Sequence, residues 1–172
     1  QVTVPPDGVL DNLGIVPAER GVVGPTDVEI RVRATALNFR DVLNALGMFK
    51  EFAERAGLDI PTSLPLGFDC AGEVLNVGSN VKNLKPGDQV FGATMGSLRS
   101  HVITPEVFTV KKPQHLTYAQ AAAIPTVFLT VYYGLKRLAG IKAGDKVLIH
   151  ACAGGVGLAA LQIAQQAGAE VY

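Results

Sequence analysis

Short runs of alternating apolar and polar residues fill the first two thirds of this chain. They are VEIRVRATAL (28–37), AGEVLNVG (71–78), DQVFGAT (88–94) and SHVITPEVFTVKK (100–112), separated by Gly, Pro and Asn turns. Alternation with β-branched residues predicts strands, and their even spacing predicts a sandwich or barrel. One helical piece, NFRDVLNALGMF (38–49), interrupts them, with Val42, Leu43, Leu46 and Phe49 on its apolar side. From Thr117 the period turns helical. Thr117 and Gln120 have capping-box spacing, and Pro125 ends that helix. A longer helix follows over 126–140, with Lys136 and Arg137 in its last turn and Gly140 as its cap. The chain then reads turn (IKAGD), strand (KVLIHA, 146–151), helix (154–168) and the start of another strand (AEVY). The turn-plus-strand phrase occurs twice, as LKPGDQVFG and IKAGDKVLI, with Asp placed to cap and Gly to take positive φ.

The second strand–turn–helix carries chemistry. Ala151, Gly154 and Gly157 are spaced as small residues that let backbone approach a pyrophosphate. Helix N-terminal N–H groups would bind the phosphate oxygens, and Gly157 would let the helix pack on the strand. The same spacing also serves a tight turn in an unrelated α/β protein; the clear strand before it and clear helix after it favour a nucleotide. Leu158, Leu161, Ile163 and Ala164 are expected to form the buried faces of that helix.

Composition narrows the alternatives. Of 172 residues, 48% are hydrophobic and 17% charged, which suits a globular chain. Fifteen basic residues balance fifteen acidic ones, giving no electrostatic footprint for nucleic acid or an anionic membrane. No apolar run is long enough for a membrane helix. Cys70 and Cys152 are expected to be buried free thiols, and three scattered histidines make no zinc cluster. A metal-free cytoplasmic protein is the expectation.

Taken together, RVRATALNFRDVLNALGMF, PLGFDCAGEVLNVGSNVKNLKPGDQVFG, IPTVFLTVYYGL and GDKVLIHACAGGVGLAALQIAQQAGAEVY resemble the medium-chain dehydrogenase/reductase superfamily. Within it they are most similar to enoyl reductase domains of modular polyketide synthases, and the resemblance runs from about residue 10 to residue 172. It implies an α/β protein: a GroES-like substrate barrel over 1–112, then interdomain helices and the first part of a Rossmann cofactor domain over 113–172. It implies hydride transfer from NADPH to the β-carbon of an enoyl thioester on an acyl carrier protein, then α-carbon protonation, among neighbouring synthase domains.

On the matching positions, the resemblance puts Asn38 beside nicotinamide and substrate as the catalytic candidate, and Thr126 against the nicotinamide. Ala151, Gly154, Gly155, Val156 and Gly157 match the pyrophosphate turn. Zinc-dependent relatives carry a Cys near the position of Asn38 and His-Glu where this chain has Phe68-Asp69, so a zinc-free mechanism is implied. At the same junction, helix capping is the alternative for Asn38, and a surface ion pair is expected of Arg40 and Asp41. Many members have tyrosine where this chain has Phe49, a substrate-pocket candidate. Phenylalanine donates no proton. Two rival outcomes follow: displacement of a γ-leaving group to close a cyclopropane, or a silent binding module that keeps the fold. Family members are about twice as long, so the 172 residues are expected to be part of a longer reductase that carries the remaining Rossmann strands and acid candidates.

Overall fold

The computed structural model describes residues 1–4, 8–48, 54, 55, 57 and 64–172. They divide into two compact units, Gln1–Ala123 and Ile124–Tyr172.

The first unit is built on a five-stranded antiparallel sheet in the order β6-β3-β4-β5-β7. Its strands are β3 (Asp27–Ala36), β4 (Asp69–Val77), β5 (Gln89–Ala93), β6 (His101–Pro105) and β7 (Thr109–Lys111). A short pair, β1 (Val2–Thr3) with β2 (Gly14–Ile15), lies apart from it in sequence order. The alternation in 28–37 and 71–78 does what the pattern requires. Val28, Ile30, Cys70, Val74, Leu84, Val90 and Val102 form one buried cluster. Two irregularities in the β3–β4 register, at Glu29/Ile30 and Val32/Ala34, bend the central pair. The stretch 100–112 is two strands joined by a single turn of tight helix over Glu106–Phe108.

α1 (Phe39–Ala45) follows β3, and α2 (Tyr118–Ala122) lays Ala121 and Ala122 on Ala71. The Thr117–Gln120 capping box is present, with Gln120 N–H donating to Thr117 Oγ1 at 3.2 Å and Thr117 N–H to Gln120 Oε1 at 2.9 Å. α1 departs from its expected orientation. Val42 and Leu46 are exposed while Asp41 and Asn44 are buried. The helix rests on the irregular segment 64–67, whose backbone needs polar partners. Gly67 N–H donates to Asp41 Oδ1 at 2.8 Å, and Asn44 Nδ2 donates to the Leu64 carbonyl at 2.7 Å.

The second unit contains α3 (Pro125–Val131), a π-helical turn over Tyr132–Leu138, β8 (Lys146–Val147), α4 (Gly155–Gln166) and β9 (Glu170–Val171). The helix expected over 126–140 thus changes pitch at Tyr132. Ala139 N–H reaches the Gly134 carbonyl, five residues back, at 2.9 Å. β8 and β9 are parallel neighbours with α4 between them in sequence, the β-α-β opening of a parallel sheet. Val131, Ala159 and Ile163 form its core, supported by Val127 and Leu135. Leu158 is half exposed, contrary to expectation; Gly157, Ala159, Ile163 and Ala164 are the buried positions of α4.

Both copies of the repeated turn fold alike. Lys85 N–H donates to Asp88 Oδ2 at 3.0 Å and Lys142 N–H to Asp145 Oδ2 at 2.9 Å, while Gly87 and Gly144 take φ of 90° and 83°. The strand expected over 146–151 is shorter. Its last ladder bond is Ile149 N–H to the Tyr172 carbonyl, and beyond it the chain turns, with Ala151 at φ 53°. No helix among the described residues is long and apolar enough to cross a membrane.

The cysteines differ from the expected pair of buried thiols. Cys70 is fully buried, accepts a hydrogen bond from Thr94 Oγ1 at 3.1 Å, and burial pushes its thiol up to about 11. Cys152 is exposed because it lies in the turn before α4 and not in a strand. Thiolate is the reactive form. At about pH 8, a thiol reagent should therefore label the folded chain at Cys152 alone and reach Cys70 only in denaturant. Mass spectrometry of labelled peptides checks this, and rapid native labelling of Cys70 would contradict it.

Glu29 is a buried carboxylate in β3. Arg20 holds it through Nε and Nη2 at 2.6 and 2.8 Å, and Asn76 Nδ2 donates to it at 2.6 Å. The Arg20 hydrogen bond leads in drawing its pKa below the ordinary 4.5, against the opposing effect of burial. A carboxylate depressed in the fold contributes stability at pH values above its unfolded pKa. That contribution is lost as pH falls through the folded value. Denaturant midpoints measured across the acid range should fall, and Glu29→Gln should flatten that fall. An unchanged slope in Glu29→Gln would assign the acid sensitivity elsewhere.

Candidate functional site

Two groups of expected site residues are found, one in each unit. In the first, Asn38 sits between β3 and α1, in extended conformation at the helix N-cap. Its N–H donates to Asp41 Oδ2 at 2.9 Å, and its carbonyl accepts Asp41 N–H at 2.8 Å. Its side chain faces the first turn of α1 in a capping-box relation with Asp41, and Nδ2 donates to Asp69 Oδ2 at 3.0 Å. Asn38 therefore does more than cap: its amide is tied across 31 residues of sequence to the first residue of β4.

Asp69 is 2% exposed, and Ala36 and Ala93 flank it in the sheet. Its backbone carbonyl accepts Thr35 Oγ1 at 2.8 Å and Ser97 Oγ at 3.0 Å, and those two hydroxyls lie 3.0 Å apart. Asp41 is not the surface residue expected of a pair with Arg40: it is buried and accepts the N–H groups of Asn38 and Gly67. The Arg40 guanidinium lies 3.6 Å from the centre of the Phe68 ring, a cation–π contact. Burial lowers the Arg40 pKa and Asp41 opposes that shift; the group stays cationic. Sequence reasoning named Phe68 and Asp69 only as a displaced zinc pair. It missed Asp69, Thr35 and Ser97 as supports of Asn38. The one available signal was an Asp opening an otherwise apolar run. Phe49 lies outside the described residues.

In the second unit, the turn 151–154 delivers the chain to α4. Residues 151–156 are all exposed, and α4 has no side-chain cap at Gly154. The N–H groups of Gly155, Val156 and Gly157 open the helix, where no acceptor exists within it. The first intrahelical bond is Leu158 N–H to the Gly154 carbonyl at 2.8 Å. The glycines serve different purposes. A Cβ on Gly157 would come within 2.4 Å of the Ala151 carbonyl oxygen and 2.6 Å of Cys152 Cα, so this glycine is required by packing. A Cβ on Gly155 would meet only Val127 Cγ1, at 3.6 Å. Val127 follows Thr126 in the first turn of α3, so the fold brings the Thr126 helix start beside the glycine turn. An uncapped, exposed helix start next to a glycine with free space fits the pyrophosphate of a dinucleotide.

Residues 24–114 match the alcohol dehydrogenase GroES-like domain. The chain belongs to that family. Its matched stretch covers the five-stranded sheet of the first unit and both Asn38 and Asp69. The spectinabilin polyketide synthase system protein NorB of Streptomyces orinoci is 44% identical over 96% of this chain and 7% of its own length. The crystal structure of CurK enoyl reductase superposes with a TM-score of 0.91 at 45% identity, covering all of this chain and 52% of that one. The CurF ER cyclopropanase from the curacin A biosynthetic pathway gives 0.85 at 41%, again over 52% of its length. The chain thus spans about half the length of these solved relatives. The resemblance to polyketide synthase enoyl reductases of the medium-chain dehydrogenase/reductase superfamily is borne out. So is the α/β architecture of a GroES-like domain followed by the opening of a parallel sheet. Among the described residues, no three His, Cys, Asp or Glu side chains are grouped to hold a metal.

Proposed function

We propose that the protein to which these residues belong is an NADPH-dependent enoyl reductase of a modular polyketide synthase. It would act in the cytoplasm on an enoyl thioester carried by an acyl carrier protein, beside other synthase domains. The GroES-like part, 1–112, would hold substrate, and the chain from residue 113 would open the cofactor domain. The observation that carries the reading is the exposed, uncapped start of α4, with Gly155 free of any structural need for glycine.

NADPH, when bound, supplies the hydride. The N–H groups of Gly155, Val156 and Gly157 would hold its pyrophosphate, with Ala151 and Gly154 keeping the turn small and Thr126 beside the nicotinamide. Asn38 would hold the reacting groups in register with its remaining amide donor. A zinc-free site is supported by the side chains themselves. Phe68, with the Arg40 guanidinium stacked on it, stands next to Asp69 where zinc-dependent relatives place His-Glu, and a phenyl ring supplies no ligand atom for zinc.

The test is a pair of measurements on the complete protein. Quenching of NADPH fluorescence reports binding, and product mass after incubation with plain and γ-halogenated enoyl thioesters reports the outcome. A saturable NADPH signal with a product two hydrogens heavier is expected. Absence of cofactor binding would leave a silent module. Halide release with ring closure would select the cyclopropane-forming alternative, which Phe49 in place of tyrosine and the likeness to the CurF cyclopropanase make worth testing.

A further inference from the structure

We infer that Asp69 is a positioning residue that fixes which way round Asn38 presents its amide. The inference rests on the reading of Asn38 as a reaction-site residue and adds the group that aims it. The two ends of an asparagine amide have nearly the same shape, so packing alone leaves them interchangeable. A carboxylate accepts hydrogen bonds and donates none. With Asp69 Oδ2 at 3.0 Å, the NH2 end must face β4. The oxygen end then faces the first turn of α1, the capping-box side. One N–H of Nδ2 remains without an acceptor among the described residues. Asn38 therefore offers its site a hydrogen-bond donor, the type of group that polarises a carbonyl oxygen.

Asp69 is built to hold still. It is buried at the start of the central strand β4 between Ala36 and Ala93, with its carbonyl clamped by the Thr35 and Ser97 hydroxyls. On the other side, Asp41 fixes the Asn38 backbone at 2.9 Å. Backbone and amide are thus set by two separate buried carboxylates: Asp41 holds the Asn38 N–H, and Asp69 holds the NH2 end of the amide while the oxygen end faces the first turn of α1.

The test uses the complete reductase with Asp69→Asn, which keeps the shape at 69 and can face Asn38 with either end. In the cofactor-free protein, the side-chain NH2 signals of Asn38 in a 15N-labelled sample, assigned by their loss in Asn38→Ala, should shift. They should also exchange faster in Asp69→Asn than in the parent. Turnover should fall by about 10- to 100-fold, the size of loss caused by a misplaced polar group, with NADPH affinity retained. On an Asn38→Ala background, Asp69→Asn should cost no further turnover, because the amide it aims is gone. Unchanged Asn38 signals, or losses that add in the double variant, would overturn the positioning role. A shifted Asn38 signal in a protein whose parent reduces no enoyl thioester would instead overturn the enoyl reductase reading and leave the Asp69–Asn38 lock standing.

Discussion

Gly155→Val in the complete protein should abolish NADPH binding at concentrations that saturate the parent, while leaving the fold intact. An added Cβ meets only Val127 Cγ1, at 3.6 Å, and residue 155 is the first of α4, where a branched residue is tolerated. Its methyl groups would instead occupy the approach to the helix N–H groups. Hydrogen bonds to a charged group contribute about 1.5–3 kcal/mol each, so losing one weakens binding by about tenfold or more, and displacing the pyrophosphate loses several. Gly157→Ala gives the contrast. Its Cβ would press on the Ala151 carbonyl at 2.4 Å and on Cys152, backbone atoms that give way only by moving the turn. That variant should lose stability by about 1–3 kcal/mol, the usual cost of overpacking. Fluorescence titration and thermal unfolding separate the two effects. NADPH affinity unchanged in Gly155→Val would remove the glycine turn from the site.

Asn38→Ala should lower turnover by about 10²–10³-fold, the loss seen when a preorganised donor is removed from a reacting site. The structure also changes what its stability cost means. Asn38 is not only a cap; removing it takes a partner from the buried Asp69 carboxylate, which costs about 1–3 kcal/mol. A lower melting point alone therefore says nothing about function. The deciding comparison is kcat measured well below the variant's unfolding temperature. Parent-like kcat there would make Asn38 a structural residue that joins α1 to β4.

What the sequence made legible was local. The turns at Lys85–Asp88 and Lys142–Asp145 fold as expected because one Asp and one Gly, three residues apart or fewer from their partners, determine them. The capping box at Thr117 and the alternation around Val28 and Ile30 succeed for the same reason. Failures came where a distant partner decides. α1 turns Val42 and Leu46 outward because the backbone of 64–67 calls for Asp41 and Asn44. Cys152 lies in the turn that begins at Ala151, whose φ of 53° ends the extended run, and it is exposed there. Asn38 was found through resemblance, but its tie to Asp69 spans 31 positions and leaves no periodic trace. The glycine turn was legible as a motif; that Gly157 is needed for packing and Gly155 is not depends on the folded turn at Ala151 and Cys152, which leaves no mark in the spacing.

We propose that this fold serves hydride delivery to an enoyl thioester. The most direct measurement is mass and NMR analysis of the product formed by the complete protein from an enoyl thioester and NADPH deuterated at the transferable position of the nicotinamide. One deuterium on the β-carbon and a solvent-derived hydrogen on the α-carbon are expected. Product carrying no deuterium, or deuterium at the α-carbon, would contradict it.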